Sequence, residues 1–96
     1  MKPWQSLEKH RTEVRAVLTA HHVSDVRVFG SVASESDTEQ SDLDLLVEPT
    51  QETTLFDLGA IRHELRKLLG CSVDVYTLES LPGKQRETIL ADAISL

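Results

Sequence analysis

Ninety-six residues, 40% hydrophobic and 27% charged, set the size and composition of one globular domain spanning residues 1–96. No apolar run approaches the ~20 residues of a membrane span, Met1-Lys2-Pro3-Trp4-Gln5-Ser6 lacks the apolar segment of a secretory leader, and Cys71 has no second cysteine to pair with; a reducing cytoplasm is the expected compartment. The net charge of −6, sixteen acidic residues against ten basic, repels a polyanion at long range, and aromatics for base stacking are scarce, so direct nucleic-acid binding is not expected. A cation-dependent site or a basic protein partner fits better.

Taken in chain order, Ser6 is placed to cap a helix running to about His21, with Leu7, Val14, Val17 and Leu18 on one face. The spacing then changes to period two through Val26 and Val28, predicting a strand that stops at Gly30. A short helix from Ser31 to Ser34 and a polar loop from Ser34 to Gln40 follow. Leu43 to Glu48, closed by Pro49, reads as a second strand. Thr54, with Asp57 three residues on, opens a second helix whose Leu55, Leu58, Ile61, Leu65, Leu68 and Leu69 form one core-facing stripe, and Gly70 ends it. Cys71 to Thr77 predicts a third strand and Arg86 to Ala93 a last short helix. This order implies an α/β (α+β) fold, a small mixed sheet with helices packed on one face.

Alternation along the strands has a chemical consequence. Leu43, Leu45 and Val47 share one face of the second strand and Asp42 and Asp44 the other; Val73 and Val75 oppose Asp74 in the third. With the apolar faces under helices, three aspartates emerge on the open face. Residues two apart on a strand lie roughly 6–7 Å apart, so their carboxylates can converge on hard cations such as Mg²⁺. Joint ionisation of three such groups without a cation is costly, and the second strand supplies no Lys or Arg. The alternative is the wet face of an amphipathic strand, although Asp is a poor strand former. Gly30-Ser31 adds a sharp turn that lets a ligand approach the backbone, and the N–H groups of a following helical turn would suit a phosphate.

These motifs, in this order, resemble a known pattern. Gly30-Ser31, ten residues, Asp42-Leu43-Asp44 and the later Asp74 in Val73-Asp74-Val75 resemble the DNA polymerase beta-type nucleotidyltransferase superfamily. The flanking V-F-G-S and S-D-L-D-L-L-V-E and the ending R-E-T-I-L-A-D-A are similar to its minimal nucleotidyltransferase (MNT) branch, from about Val26 to the C-terminus. The resemblance implies a nucleotidyltransferase-like fold in which Gly30 and Ser31 hold the β- and γ-phosphates of ATP. It also implies that Asp42 and Asp44 ligate two Mg²⁺ ions, that Ser41 supports the turn before them, and that Asp74 binds the catalytic metal and takes a proton from the attacking hydroxyl. Many minimal members continue G-S-x-A-R-G; here Ser34 replaces the basic residue and Glu35 the glycine.

Minimal nucleotidyltransferases often are antitoxins paired with HEPN-domain RNase toxins. The resemblance therefore implies transfer of AMP from ATP to a tyrosine hydroxyl of a cognate HEPN toxin. An antitoxin that inhibits by docking alone, and transfer to a small molecule, are the other readings. Elsewhere, His10, His21, His22 and His63 show no metal-ligand spacing with Cys71 and read as structural. Cys71 reads as a small apolar side chain, Trp4 as either packing or a partner contact, and Asp37 and Glu39 as solvated loop charges. Tyr76 shares a face with Asp74, where it either packs at the edge of the core or lines the site.

Overall fold

The computed structural model describes residues 1–34 and 36–96; the replacement of glycine at Glu35 lies outside them. The N-terminal helix is two helices, α1 (Pro3–Lys9) and α2 (Arg11–Ala20), with His10 leaving helical geometry between them at φ −111° and ψ 23°. Pro3 occupies the first helical position, where its fixed φ and missing N–H cost nothing. That early start puts Ser6 inside α1 rather than at its cap. Its buried hydroxyl donates to Leu69 O at 2.7 Å, pinning α1 to a later helix.

Asp37, expected as a solvated loop charge, is instead buried, and its carboxylate accepts the Trp4 N–H at 3.2 Å. The first turn of α1 has N–H groups without helical acceptors and the positive end of a dipole, so a carboxylate arriving from the loop is favoured there. Trp4 packs against the main core.

Four strands form one sheet among the described residues. β1 (Val23–Phe29) pairs antiparallel with β2 (Leu43–Pro49), and β2 pairs parallel with β3 (Val73–Tyr76). β4 (Ile94–Ser95) adds to the free edge of β1; two residues leave no periodic signal in the sequence. Between β2 and β3 runs α3 (Leu55–Leu69), opened by the Thr54–Asp57 capping box and ended by Gly70 in left-handed geometry. Leu43, Leu45 and Val47 of β2, Val26 and Val28 of β1, and Val73 of β3 meet Val14, Leu18, Ile61 and Leu65 in one apolar cluster. Helices α1 to α3 thus cover one face of a mixed sheet, as the alternation predicts.

Three details differ from the sequence reading. Leu55 is 86% exposed, because the first turn of α3 runs past the buried cluster and Leu58 is only partly enclosed. Residues Gly30 to Ser34 form a hydrogen-bonded turn, Ser34 N–H to Gly30 O at 3.2 Å, and not a helix. Gly30 enters it at φ +76°, and the Ser34 and Ser36 hydroxyls together with the Ser36 N–H take Ser31 O, at 3.2, 3.3 and 2.9 Å. Local hydroxyl bonds of this kind compete with helix propagation. Finally, a short 3₁₀ turn (Leu78–Ser80) and α4 (Gly83–Asp92) carry Leu81 and Ile89 onto Phe29 and Leu46, forming a second, smaller apolar cluster on the aspartate-bearing side.

His21 joins α2 to α3, with Nδ1 3.1 Å from Asp57 and Nε2 3.0 Å from Glu64. The hydrogen bond to Asp57, then the Glu64 interactions, raise its pKa above the ordinary 6.5 against a partial burial that lowers it. A raised imidazole pKa contributes stability that is full below the unfolded value and is lost as pH rises through the folded one. Replacing His21→Gln is expected to cost ~0.5–1 kcal/mol near pH 5.5 and much less near pH 8.5, read by urea denaturation.

Candidate active site

β1 delivers Phe29 and Gly30 to the top of the sheet, and β2 starts beside them. Phe29 faces Asp44 across the antiparallel ladder, and Asp44 faces Asp74 across the parallel one. Directly paired residues share a sheet face, so register alone lines up Phe29, Asp44 and Asp74 on three adjacent strands. Asp42 is not in the strand as expected; it lies exposed, immediately before Leu43. The turn that leads to it is tied by Ser41, whose Oγ accepts the Thr38 N–H at 2.8 Å and whose N–H donates to Thr38 O at 3.1 Å.

Gly30 sits against this carboxylate row. A Cβ at position 30 would lie 2.5 Å from Asp44 Oδ2, so any side chain there would push the carboxylate aside. Both this contact and the positive φ favour glycine. The Asp44 carboxyl is pushed up from 3.8 to about 6, first by burial, then by Asp74, then by Asp42. The three acids therefore feel one another, and the cost of charging them falls on the most enclosed member.

Asp74 has cationic company that sequence reasoning missed. Arg66 Nη2 is 3.6 Å and Arg62 Nε 3.9 Å from its Oδ1. Arg66 Nε also donates to Val73 O at 3.1 Å, satisfying the outer edge of β3. The signal was present: Arg62 and Arg66 are four apart on α3, one turn before Gly70, so they share a face beside the strand that follows.

Between the Gly30–Ser34 turn and α4 opens a groove of about 470 Å³, bordered by Phe29, Gly30, Ala33 and Ser34 on one side and Thr88, Ile89 and Asp92 on the other. Its size falls in the range of small-ligand sites. The α4 side was not legible in the sequence, since Thr88 and Asp92 carry no motif. Tyr76 leans on Phe29 with ring centroids 5.5 Å apart. Burial, then the charges of Asp74, Asp44 and Asp42, raise its phenol pKa, so it stands within the field of the site.

The donor set suits a hard divalent cation: carboxylate oxygens only, with an ionisation cost that a positive ion would relieve. Among the described residues no group of three or more His, Cys, Asp or Glu side chains is poised around one metal position. Mg²⁺ usually takes one or two protein carboxylates, its other positions going to substrate phosphates and waters. The histidines lie elsewhere: His21 and His22 pair with Asp57, Glu64 and Glu52. Cys71 packs partly against the core, and burial raises its thiol pKa. No helix is long and apolar enough to cross a membrane among the described residues.

The nucleotidyltransferase domain model matches residues 7–96. The chain is 32% identical over 91 residues to a candidate protein adenylyltransferase of Methanocaldococcus jannaschii, spanning 95% of this chain and 98% of that one. It is 30% identical over 90 residues to the protein adenylyltransferase MntA of Thermococcus cleftensis, spanning 85% and 91%. The solved structure of a candidate minimal nucleotidyltransferase superposes with a TM-score of 0.86 at 39% identity over 97% of this chain and 95% of that one. A toxin–antitoxin structure with AMP-PNP shares the fold, with a TM-score of 0.74 at 16% identity, over 88% of this chain and 69% of that one. The chain belongs to the nucleotidyltransferase domain family, in its minimal form, and is a nucleotidyltransferase.

Two substitutions test the geometry. A raised carboxyl pKa means the fold favours neutral Asp44, so its contribution is best below 3.8 and worsens as pH rises through about 6. Asp44→Asn is therefore expected to stabilise the metal-free protein by ~1–2 kcal/mol near pH 8, the gain vanishing near pH 4, by thermal and urea unfolding. Gly30→Ala should destabilise by at least ~1–2 kcal/mol from backbone strain alone and displace Asp44, so that its loss of transfer activity exceeds its loss of folded protein.

Proposed function

We propose that this protein is a Mg²⁺-dependent protein adenylyltransferase that moves AMP from ATP to a tyrosine hydroxyl of a cognate HEPN-type RNase toxin, and so acts as its antitoxin. The observation that carries the reading is the contact of Gly30 with Asp44, which joins a phosphate-accepting turn to a row of carboxylates. Residues 1–96 act as one domain of this kind, in the cytoplasm, with the acceptor supplied by another chain.

Roles follow from position. Gly30 lets the triphosphate approach the backbone, and Gly30 and Ser31 take its β- and γ-phosphates, with Ser41 holding the neighbouring turn. Asp42, Asp44 and Asp74 are the ligands for two Mg²⁺ ions, which supply charge neutralisation at the phosphates when bound. Asp74, partly exposed and steadied at Oδ1 by Arg62 and Arg66, receives the proton of the attacking hydroxyl. The new bond forms from that oxygen to the α-phosphorus as the bond to the β-phosphate oxygen breaks, and pyrophosphate leaves. Alignment and electrostatics supply most of the acceleration in such a displacement.

The protein acceptor is supported by the relatives named as protein adenylyltransferases, and the toxin partner by shared fold with antitoxins solved in toxin complexes. A net charge of −6 complements a basic RNA-cleaving protein. The docking-only reading draws on Ser34, which borders the groove beside Gly30 where many minimal members have a cation.

Incubation of purified protein with ATP, Mg²⁺ and the HEPN toxin encoded beside it is expected to add one adenylyl group (AMP less water) per modified tyrosine and to abolish RNase activity. Asp42→Asn/Asp44→Asn and Asp74→Asn should each lower transfer at least ~100-fold. Undiminished neutralisation by the double variant would establish docking alone.

A further inference from the structure

Six large hydrophobic side chains stand exposed among the described residues, and three of them, Leu55, Leu78 and Leu90, line two grooves at the end of the sheet away from Gly30. Leu55 and Phe56 are 86% and 90% exposed in the first turn of α3. Leu78 lies on the 3₁₀ turn, across from them. Two grooves meet at Leu78 and Glu48. One, of about 420 Å³, runs between Pro49 and Thr54 on one wall and Thr77 and Glu79 on the other, with Leu55 and Leu58 along it. The second, of about 260 Å³, passes over Leu46 between Leu78 and Leu90, flanked by Asp25 and Arg27. Leu55 is left almost fully in water, although a leucine so exposed forgoes ~1.5–3 kcal/mol of burial.

The rim is acidic. Asp25, Glu48 and Glu79 are all exposed along the two grooves, with Arg27 as the basic lining residue. A second copy of this chain would bring like charges together across a symmetric contact, on a molecule already at −6. A partner with an apolar helix face bordered by Lys and Arg fits both the floor and the rim.

The position ties the surface to the reaction. Leu46 is two residues from Asp44 on the same face of β2, a separation of roughly 6–7 Å. Along that face come the Gly30 turn, then Asp44 and Asp74, then the apolar grooves. A partner anchored at the far end would lie within a side chain's reach of the carboxylates from the side opposite the phosphate turn. We propose that the Leu55–Leu78–Leu90 surface is the docking site for the acceptor protein, through a basic amphipathic helix of that partner. The proposal rests on the protein-adenylylation reading for its occupant.

The test uses the purified HEPN toxin as probe and four proteins: wild type, Leu55→Ser/Leu78→Ser, Glu48→Lys/Glu79→Lys and Asp42→Asn/Asp44→Asn. Calorimetry measures toxin binding at low and high salt, and a separate titration measures Mg²⁺–ATP binding by each protein alone. The apolar pair is expected to weaken toxin binding at least ~30-fold, and the charge reversal at least ~10-fold with a flattened salt dependence. Both should bind Mg²⁺–ATP within about twofold of wild type, showing that fold and nucleotide site are intact. Toxin binding by either surface variant at wild-type strength overturns the docking site, as does wild-type protein that modifies the toxin without binding it measurably. Self-association of the wild type that the apolar pair abolishes, seen by sedimentation, would make a second copy the occupant and also overturn it. If wild type binds the toxin and the surface variants do not, yet no AMP is transferred, the docking site stands and the adenylylation reading falls.

Discussion

The approach of the Asp44 carboxylate to the Gly30 backbone is the constraint on which the site depends. It requires β1 to end in a left-handed residue without a Cβ and β2 to begin at a register that sets Asp44 opposite Phe29. Once those two strands are fixed, the parallel pairing of β3 brings Asp74 alongside, and the serine-laced turn follows Gly30 directly. Movement of β2 by one residue would send Asp44 into the core and Leu45 into solvent. The apolar cluster under α1 to α3 forbids that shift, so the packing of Leu43, Leu45 and Val47 is also what positions the chemistry.

That arrangement concentrates negative charge, and the fold bears the consequence. Asp44 carries most of the penalty because it is the most enclosed, whereas Asp74 has Arg62 and Arg66 at hand and Asp42 stands in water. An enclosed carboxylate among like charges destabilises the fold that holds it, a common compromise between stability and activity. The rest of the molecule braces it by ordinary means: Asp37 at the start of α1, Ser6 on Leu69, His21 between α2 and α3.

Much of this is legible in the order of residues. Period-two alternation places Leu43, Leu45 and Val47 inward and Asp44 outward, and the Thr54–Asp57 box and Gly70 mark both ends of α3. What fails to show in the sequence depends on contacts far apart along the chain. Asp37 reads as a loop charge because its partner, the Trp4 N–H, is thirty-three residues away. Leu55 reads as core because helical periodicity does not reveal where the core stops. β4 is held by its ladder to β1 and not by its own two residues.

The sequence by itself determined the chemical parts, namely a glycine–serine turn and three aspartates on or beside strands with one apolar face, because side-chain alternation and turn geometry are local properties. Only the tertiary structure decided how they are used. Strand pairing set Asp44 between Gly30 and Asp74, α3 brought Arg62 and Arg66 around the sheet edge, and α4 closed a groove over Phe29. Those outcomes rest on which apolar faces bury one another, a choice made by the whole core at once and written in no single stretch of chain.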